Sequence, residues 1–275
     1  MEPVVSVLIL THSVRHDLER CLASVREHAG VPLQIVVVDN GSTDGTQEWL
    51  RAEHPEIELV ELPVNIGTAA RQHGLDRARC RYTLFLDSDA QLTEGALPAL
   101  VAALDEHPGW GLVGPKLVYG DGSPQPSARR FPPLVLPFLR RPPLKRFFED
   151  SSVVRRHLMS DIAADRTREV MYVLGACQLF RTELARKAGR WDERIFWGPD
   201  DADWCIRIRD AGGEIVWCPE ATVIHSYRRQ SSQTPFSRAA LHHLQGFYYF
   251  QWKYRKRKRE LARLSRELDR RAASV

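Results

Sequence analysis

The amino-acid sequence predicts an α/β fold built on a mainly parallel sheet and extended by a helical C-terminal appendix. Apolar strand-like runs alternate with segments of helical periodicity through about the first 120 residues. The helical segments between strands are about 10 to 15 residues long, which implies right-handed crossovers and parallel strands. Several of the apolar runs end directly on polar residues, as strands do where they meet a binding crevice.

VVSVLIL opens the chain as a buried strand, and Val14, Leu18, Cys21, Leu22 and Val25 then share one helical face. QIVVVD is the second strand and NGSTDGT its loop. A helix through Trp49 and Leu50, a short strand IELVEL and a helix across Ala69 to Ala78 lead to the fourth strand, YTLFL. Thr93 is the predicted N-cap of the next helix, with Leu97, Leu100 and Leu104 facing inward before the strand GLVGPKLVY. Seven prolines between residues 120 and 145 then forbid a regular helix or central strand, so this stretch is predicted as a long excursion. VMYVLGACQLF, a helix near Glu183 to Ala188, the loop RWDERIFWGP, a helix from Asp200 and the strands EIVWCP and TVIHSY follow, and the last forty residues read as helical.

With 275 residues, 43% of them apolar, the chain can bury a real core. Its longest apolar runs fall far short of the roughly 18 residues a membrane helix needs. Glu2 stands where a secretory signal would carry positive charge, so a cytoplasmic location is expected. Cys21, Cys80, Cys177, Cys205 and Cys218 lack CxxC spacing and are read as reduced core thiols. The net charge of +4 is uneven: from Gln251 onward ten Lys or Arg face Glu260, Glu267 and Asp269. That basic tail, preceded by an aromatic cluster, admits three roles: a solvated helix, a peripheral anchor at the inner membrane face, or an oligomer contact such as a homodimer. No nucleic-acid-binding module accompanies the charge, so no nucleic-acid partner is expected.

The chemistry gathers at the strand ends. Thr11 and His12, Asp39, and Asp87 with Asp89 each directly follow an apolar strand and so face one crevice. GxxxxGK[ST] is missing and no GxGxxG follows the first strand, which removes the usual P-loop and dinucleotide devices. Asp87 and Asp89, one residue apart around Ser88, repel each other unless a cation sits between them. A nucleoside diphosphate can bind in such a crevice when carboxylates hold a divalent metal against its phosphates. Taken singly, each piece also fits a bland role: Asp39-Asn40-Gly41 a turn, Asp87-Ser88-Asp89 a capping loop, His225 a structural histidine, and Asp200 to Asp203 a solvated first helical turn.

VSVLILTH, VVVDNGSTDGT, NIGTAARQHGL, LFLDSDA, GRWDERIFWGPDDADWCIRIRDAG and PEATVIHSY stand in one order along about residues 4 to 230. In this the chain resembles glycosyltransferase family 2, the inverting sugar transferases of the GT-A fold. The resemblance implies a Rossmann-like GT-A domain over 1–232, with a nucleotide-sugar half to about 119 and an acceptor half over 120–232, and a tail over 233–275. It implies a nucleoside-diphosphate sugar as donor, a glycan, lipid-linked or small-molecule acceptor, and Mn2+ or Mg2+ as cofactor. Asp39 matches the carboxylate that accepts from the pyrimidine base, with Thr11 beside it, and Arg71 matches a position near base and diphosphate. Asp87 and Ser88 match the donor side of the DxD element, while Asp89 and His225 match metal ligands. Asp201 matches the catalytic base, and Asp200 and Trp197 the acceptor side.

Within the family, LVGPKLVYGDGSPQPSARRFPP resembles the rhamnosyltransferase branch through its DGS and Arg-Arg-Phe-Pro elements, which implies dTDP-rhamnose and a cell-surface polysaccharide acceptor. The chain departs from that branch at Asp87-Ser88-Asp89, where Asn-Pro-Asp is usual, and at Asp200-Asp201, where Glu-Asp is usual. UDP-hexose and UDP-galactofuranose donors therefore stay open. The competing functions are a catalytically silent relative that binds nucleotide or carbohydrate, and a sugar nucleotidyltransferase.

Overall fold

The computed structural model describes residues 2–141, 144–162, 166–226 and 237–273. The predicted boundary at 232/233 and Tyr227 of TVIHSY lie outside the described residues. Four strands build the first half: β1 (Val5–Thr11), β2 (Leu33–Asn40), β3 (Glu58–Leu62) and β4 (Tyr82–Asp87). They run parallel in the order β3-β2-β1-β4. The crossovers are α1 (Arg15–His28), α2 (Thr46–Glu53) and a 3₁₀ turn, Gly67–Ala70, that continues into the short α3 (Arg71–Leu75). Leu18, Cys21, Leu22 and Val25 of α1 are fully buried, as their spacing requires.

Beyond β4 the sheet becomes mixed. The short β5 (Ala90–Leu92) and α4 (Ala96–Glu106) precede β6 (Trp110–Val118). Thr93 does not cap α4: Gly95 occupies the N-cap in the left-handed region, and the Thr93 hydroxyl donates instead to Thr222 O at 2.7 Å. The proline-rich excursion folds into two-residue strands β7 (Pro124–Gln125) and β8 (Ala128–Arg129) and short helices α5 (Leu136–Leu139), α6 (Lys145–Phe148) and α7 (Ser152–His157).

VMYVLGACQLF divides into β10 (Tyr172–Val173) and β11 (Cys177–Arg181), preceded by β9 (Arg168–Glu169). β11 inserts antiparallel between β4 and β6. After α8 (Thr182–Lys187) and α9 (Asp200–Asp210), EIVWCP and TVIHSY prove to be one strand, β12 (Glu214–His225), which lies parallel to β6 with a register shift between Cys218 and Thr222. Its far end pairs antiparallel with β5, setting His225 opposite Ala90.

Alternation along the strands sends residues to two cores. Val5, Val7 and Ile9 of β1 pack with α1 and α4, whereas Leu8 joins Phe85, Phe180 and Trp204 on the face covered by α9. The C-terminal helices α10 (Arg238–Lys253) and α11 (Lys258–Ala273) join this second core through Phe250, Tyr254, Leu261 and Leu268, each at most 4% exposed. The appendix is thus sewn into the domain. All five cysteines are free and buried, and no helix among the described residues is long and apolar enough to cross a membrane.

Candidate active site

Strand register brings the first group of residues together. Thr11 lies opposite Asp39 in the β1/β2 ladder, and Asp87 opposite Leu10 in β1/β4, so all three occupy the carboxyl edge of the parallel half. Asp39 is fully buried, and its Oδ1 accepts from Ser42 N at 2.9 Å and Gln47 Nε2 at 2.6 Å. Its Oδ2, like the Thr11 hydroxyl, is buried with no hydrogen-bond partner among the described residues. A buried carboxylate oxygen left unsatisfied costs free energy that a ligand N–H would restore.

Arg71, 7% exposed, forms the centre. Its guanidinium donates to Asp87 Oδ1 at 2.6 Å, to Asp200 Oδ2 at 3.2 Å and to Gly175 O at 3.3 Å, and it rests over the rings of Phe85 and Trp191. A side chain on Gly175 would press on this guanidinium, whose nearest nitrogen would lie 3.0 Å from the added Cβ. Arg71 serves Asp87, Asp200 and Asp201 together and Arg129 acts on Asp201 as well, which still leaves carboxylate charge in excess. Burial accordingly pushes Asp200 up to about 7, against the pull of Arg71, and Asp201 up to about 6. Asp87 is raised for the same reason.

Asp201 differs from its neighbours in having no cation on its carboxylate among the described residues. Its Oδ1 accepts from its own helix at Ala202 N, 2.7 Å away. Asp200, predicted on the acceptor side, is turned inward to Arg71 and is 7% exposed. Asp203 is almost fully buried and accepts from Arg207 Nε at 2.9 Å and Tyr254 Oη at 3.0 Å. Trp197 is 39% exposed, while Trp191 and Trp204 pack in the core. Ser88 is buried at the tip between Asp87 and Asp89. The loop before α9 is held against the first half by Gly67: the Phe196 carbonyl accepts from Thr68 N at 3.0 Å, and any side chain on Gly67, whose φ is +72°, would strike it.

The second group offers a metal site. Ligand atoms of Asp87, Asp89 and His225 all lie within 4.8 Å of one another. His225 Nε2 stands 3.3 Å from Asp89 Oδ1, and its Nδ1 meets Gln125 Oε1 at 2.8 Å. With Nδ1–H given to Gln125, Nε2 is left as the ligating nitrogen. Burial by itself lowers the His225 pKa, but the Asp89 carboxylate outweighs it and the net shift is upward. Two hard carboxylates and an imidazole suit Mn2+ or Mg2+. Gln125 escaped the sequence reading: β7 places it opposite Leu117 of β6, and nothing in QPS announces that contact. Gln47, beside Asp39, escaped it likewise.

Comparison with known proteins decides the family. The model of glycosyl transferase family 2 matches residues 6–189. The chain belongs to that family. This family 2 glycosyltransferase is 28% identical over 263 residues to N-acetylglucosaminyl-diphospho-decaprenol L-rhamnosyltransferase of Mycobacterium tuberculosis, covering 88% of this chain and 82% of the relative. Among solved structures it is similar to mannosyltransferase PcManGT from Pyrobaculum calidifontis in complex with GDP-Man and Mn2+, with a TM-score of 0.63 at 22% identity. It is also similar to S. aureus TarS 1–349 in complex with UDP-GlcNAc, with a TM-score of 0.60 at 19% identity. The matches cover 92% and 83% of this chain but only 65% and 60% of those two chains. They show the GT-A glycosyltransferase fold.

Proposed function

We propose that the chain transfers a sugar, rhamnose from dTDP-rhamnose in the first instance, to a hydroxyl of a lipid-linked glycan, with inversion and with the help of a divalent metal. The donor assignment draws on the long match to a rhamnosyltransferase and on the DGS and Arg-Arg-Phe-Pro elements. UDP-sugars are the second donor class, since Thr11 and Asp39 would receive either pyrimidine.

In this reading the unsatisfied Asp39 Oδ2 takes the base N–H and Thr11 lies alongside. Asp87, Asp89 and His225 would hold the cation, whose chemistry when bound is to neutralise the departing diphosphate. Arg71 fixes the spacing between the donor-side Asp87 and the acceptor-side helix α9. Asp201 takes the proton from the acceptor hydroxyl as that oxygen attacks the anomeric carbon, and Trp197 offers the acceptor an apolar ring face. The observation that carries this assignment is that, among the described residues, Asp201 is the one carboxylate around Arg71 that forms no ion pair.

The test is a panel of nucleoside-diphosphate sugars incubated with Mn2+ or Mg2+. Release of dTDP from dTDP-rhamnose above all other donors is the expected result. Release of pyrophosphate, or product that keeps the donor's anomeric configuration by NMR, would overturn the reading.

A further inference from the structure

Twelve large hydrophobic residues are exposed among the described residues, and ten of them fall in two stretches, 134–153 and α10. In the first, Leu134, Val135, Phe138, Phe147 and Phe148 are between 40% and 65% exposed. In the second, Leu241, Tyr248 and Trp252 are 55%, 40% and 55% exposed, and their spacing of seven and four residues places them along one stripe of the helix. The opposite side of α10 is buried through Ala240, Phe247, Phe250 and Gln251. This helix therefore carries apolar residues on the side turned away from the core as well.

The two stretches abut. Gln251 Nε2 donates to Pro132 O at 2.8 Å, Arg141 Nη2 donates to Ala240 O at 3.1 Å, and Phe247 packs with Leu136 and Val154. Exposed apolar surface of this extent marks an interaction site. Its charge says which kind. Residues 134–153 contain Arg140, Arg141, Lys145 and Arg146 against Glu149 and Asp150, and Lys145 is paired with Glu149, so the stretch stays net basic. Arg146 lies over the Phe147 ring, and Arg255 lies 4.2 Å from the Trp252 ring centroid. Aromatic rings interleaved with cations match the boundary between acyl chains and anionic headgroups.

The tail helix α11 is less suited to that surface. Leu261 and Leu268 are committed to the core, and Arg271 within the helix and Arg257 just before it are paired with Glu169, Glu267, Asp210 and Glu260. We infer that the face formed by residues 134–141 and 144–148 and the Leu241-Tyr248-Trp252 stripe of α10 docks on an anionic lipid bilayer. The inner side of the same helix touches the acceptor loop: Phe196 stacks on His242, and Gly246 lies against Trp197 O. Docking there would set the loop that leads into α9 and Asp201 on the membrane side of the site, where a lipid-linked hydroxyl presents itself. That purpose rests on the proposed acceptor class; the docking itself does not.

The experiment is co-sedimentation of the full chain with phosphatidylcholine vesicles with and without phosphatidylglycerol, in low and high salt. Binding should require the anionic lipid and weaken with salt. Phe138→Glu/Phe147→Glu/Trp252→Glu should lower the bound fraction about tenfold or more, with donor hydrolysis unchanged as the sign of an intact fold. Arg259→Glu/Arg263→Glu/Arg266→Glu in α11 should change binding far less. A single Trp252→Glu variant and quenching of the wild-type protein's fluorescence by brominated lipid give independent readings should the triple variant misfold. Wild-type binding by the triple variant, or binding lost only with the α11 variant, would overturn the inference. So would a concentration-dependent dimer that the triple variant abolishes in the absence of any vesicle binding, because the face would then serve a second copy of the chain. Loss of donor hydrolysis by the wild-type chain would instead strike the proposed function and leave vesicle binding to stand or fall separately.

Discussion

The Tyr254 hydroxyl donates to Asp203 Oδ1 across 3.0 Å, tying the end of α10 to the helix that begins with Asp200 and Asp201. Lys253 reaches the same carboxylate oxygen at 2.5 Å and also Asp192 in the preceding loop at 2.9 Å. The C-terminal segment therefore holds in place the helix α9 that carries the proposed base Asp201. Tyr254→Phe should cost about 1–2 kcal/mol in urea unfolding, because Asp203 is buried and would keep only its cationic partners. Removing everything after Gln251 should cost much more, since Tyr254, Leu261 and Leu268 leave the core together. Unchanged unfolding midpoints for both would contradict this role.

That role was legible in one respect and hidden in another. Tyr254, Leu261 and Leu268 recur at intervals of seven, a spacing that marks a buried helical stripe, but ten basic residues in the same segment drew the reading toward an exposed tail. The parallel strands and their terminal Thr11, Asp39 and Asp87 were readable because one short segment encodes both an apolar run and the residue that ends it. The antiparallel insertion of β11, and the reach of Gln125 to His225, depend on contacts between segments about a hundred residues apart. Local pattern carries no trace of those.

Arg71 compensates a cluster of carboxylates, so its loss should be felt before any substrate arrives. Arg71→Met should lower stability by about 3–5 kcal/mol at neutral pH, the range for leaving buried charge unpaired. Arg71→Lys should recover part of the stability but little of the activity, since one ammonium cannot span Asp87 and Asp200 with fixed donors. Equal activity of the Lys variant and the parent in the donor-hydrolysis assay would contradict the clamp.

Metal dependence should appear at two depths. EDTA should abolish turnover, with Mn2+ or Mg2+ restoring it, and His225→Ala should weaken metal binding. Gln125→Leu should also reduce metal affinity by about 10- to 100-fold, because it frees the imidazole to turn and to change tautomer. Because the His225 pKa is raised, protons should compete with the metal more strongly than at an ordinary histidine as pH falls. Metal titration by calorimetry at several pH values would show it; an affinity independent of both pH and Gln125 would remove His225 from the ligand set.

The proposed base should reveal itself through a split between rate and affinity. Asp201→Asn keeps the shape of the side chain but cannot take a proton, so kcat should fall by about 10²- to 10⁴-fold while donor and metal affinity stay nearly constant. The parent enzyme's kcat should itself decline as pH drops through about 6, where Asp201 becomes protonated. A large change in donor affinity in the Asn variant would assign Asp201 to donor binding instead.

The same substitution should stabilise the folded protein, and the sign follows from the pKa. Folding raises Asp201 from the ordinary carboxyl value of about 3.9 to about 6, so the folded state binds the proton more tightly. Its contribution is therefore fully present below about pH 4 and is lost as pH rises through about 6, where burial must tolerate the charge. Asp201→Asn never acquires that charge. With allowance for the partial exposure of the side chain, the variant should be more stable than the parent by about 1–2 kcal/mol at pH 8 and no different at pH 4. Urea unfolding in EDTA at pH 4, 6 and 8 measures the difference directly. A gap that stays constant across that range would mean Asp201 titrates normally, and the charge excess around Arg71 would then not extend to it. A gap that opens with pH while kcat collapses would show that the carboxylate is kept for chemistry at the expense of stability.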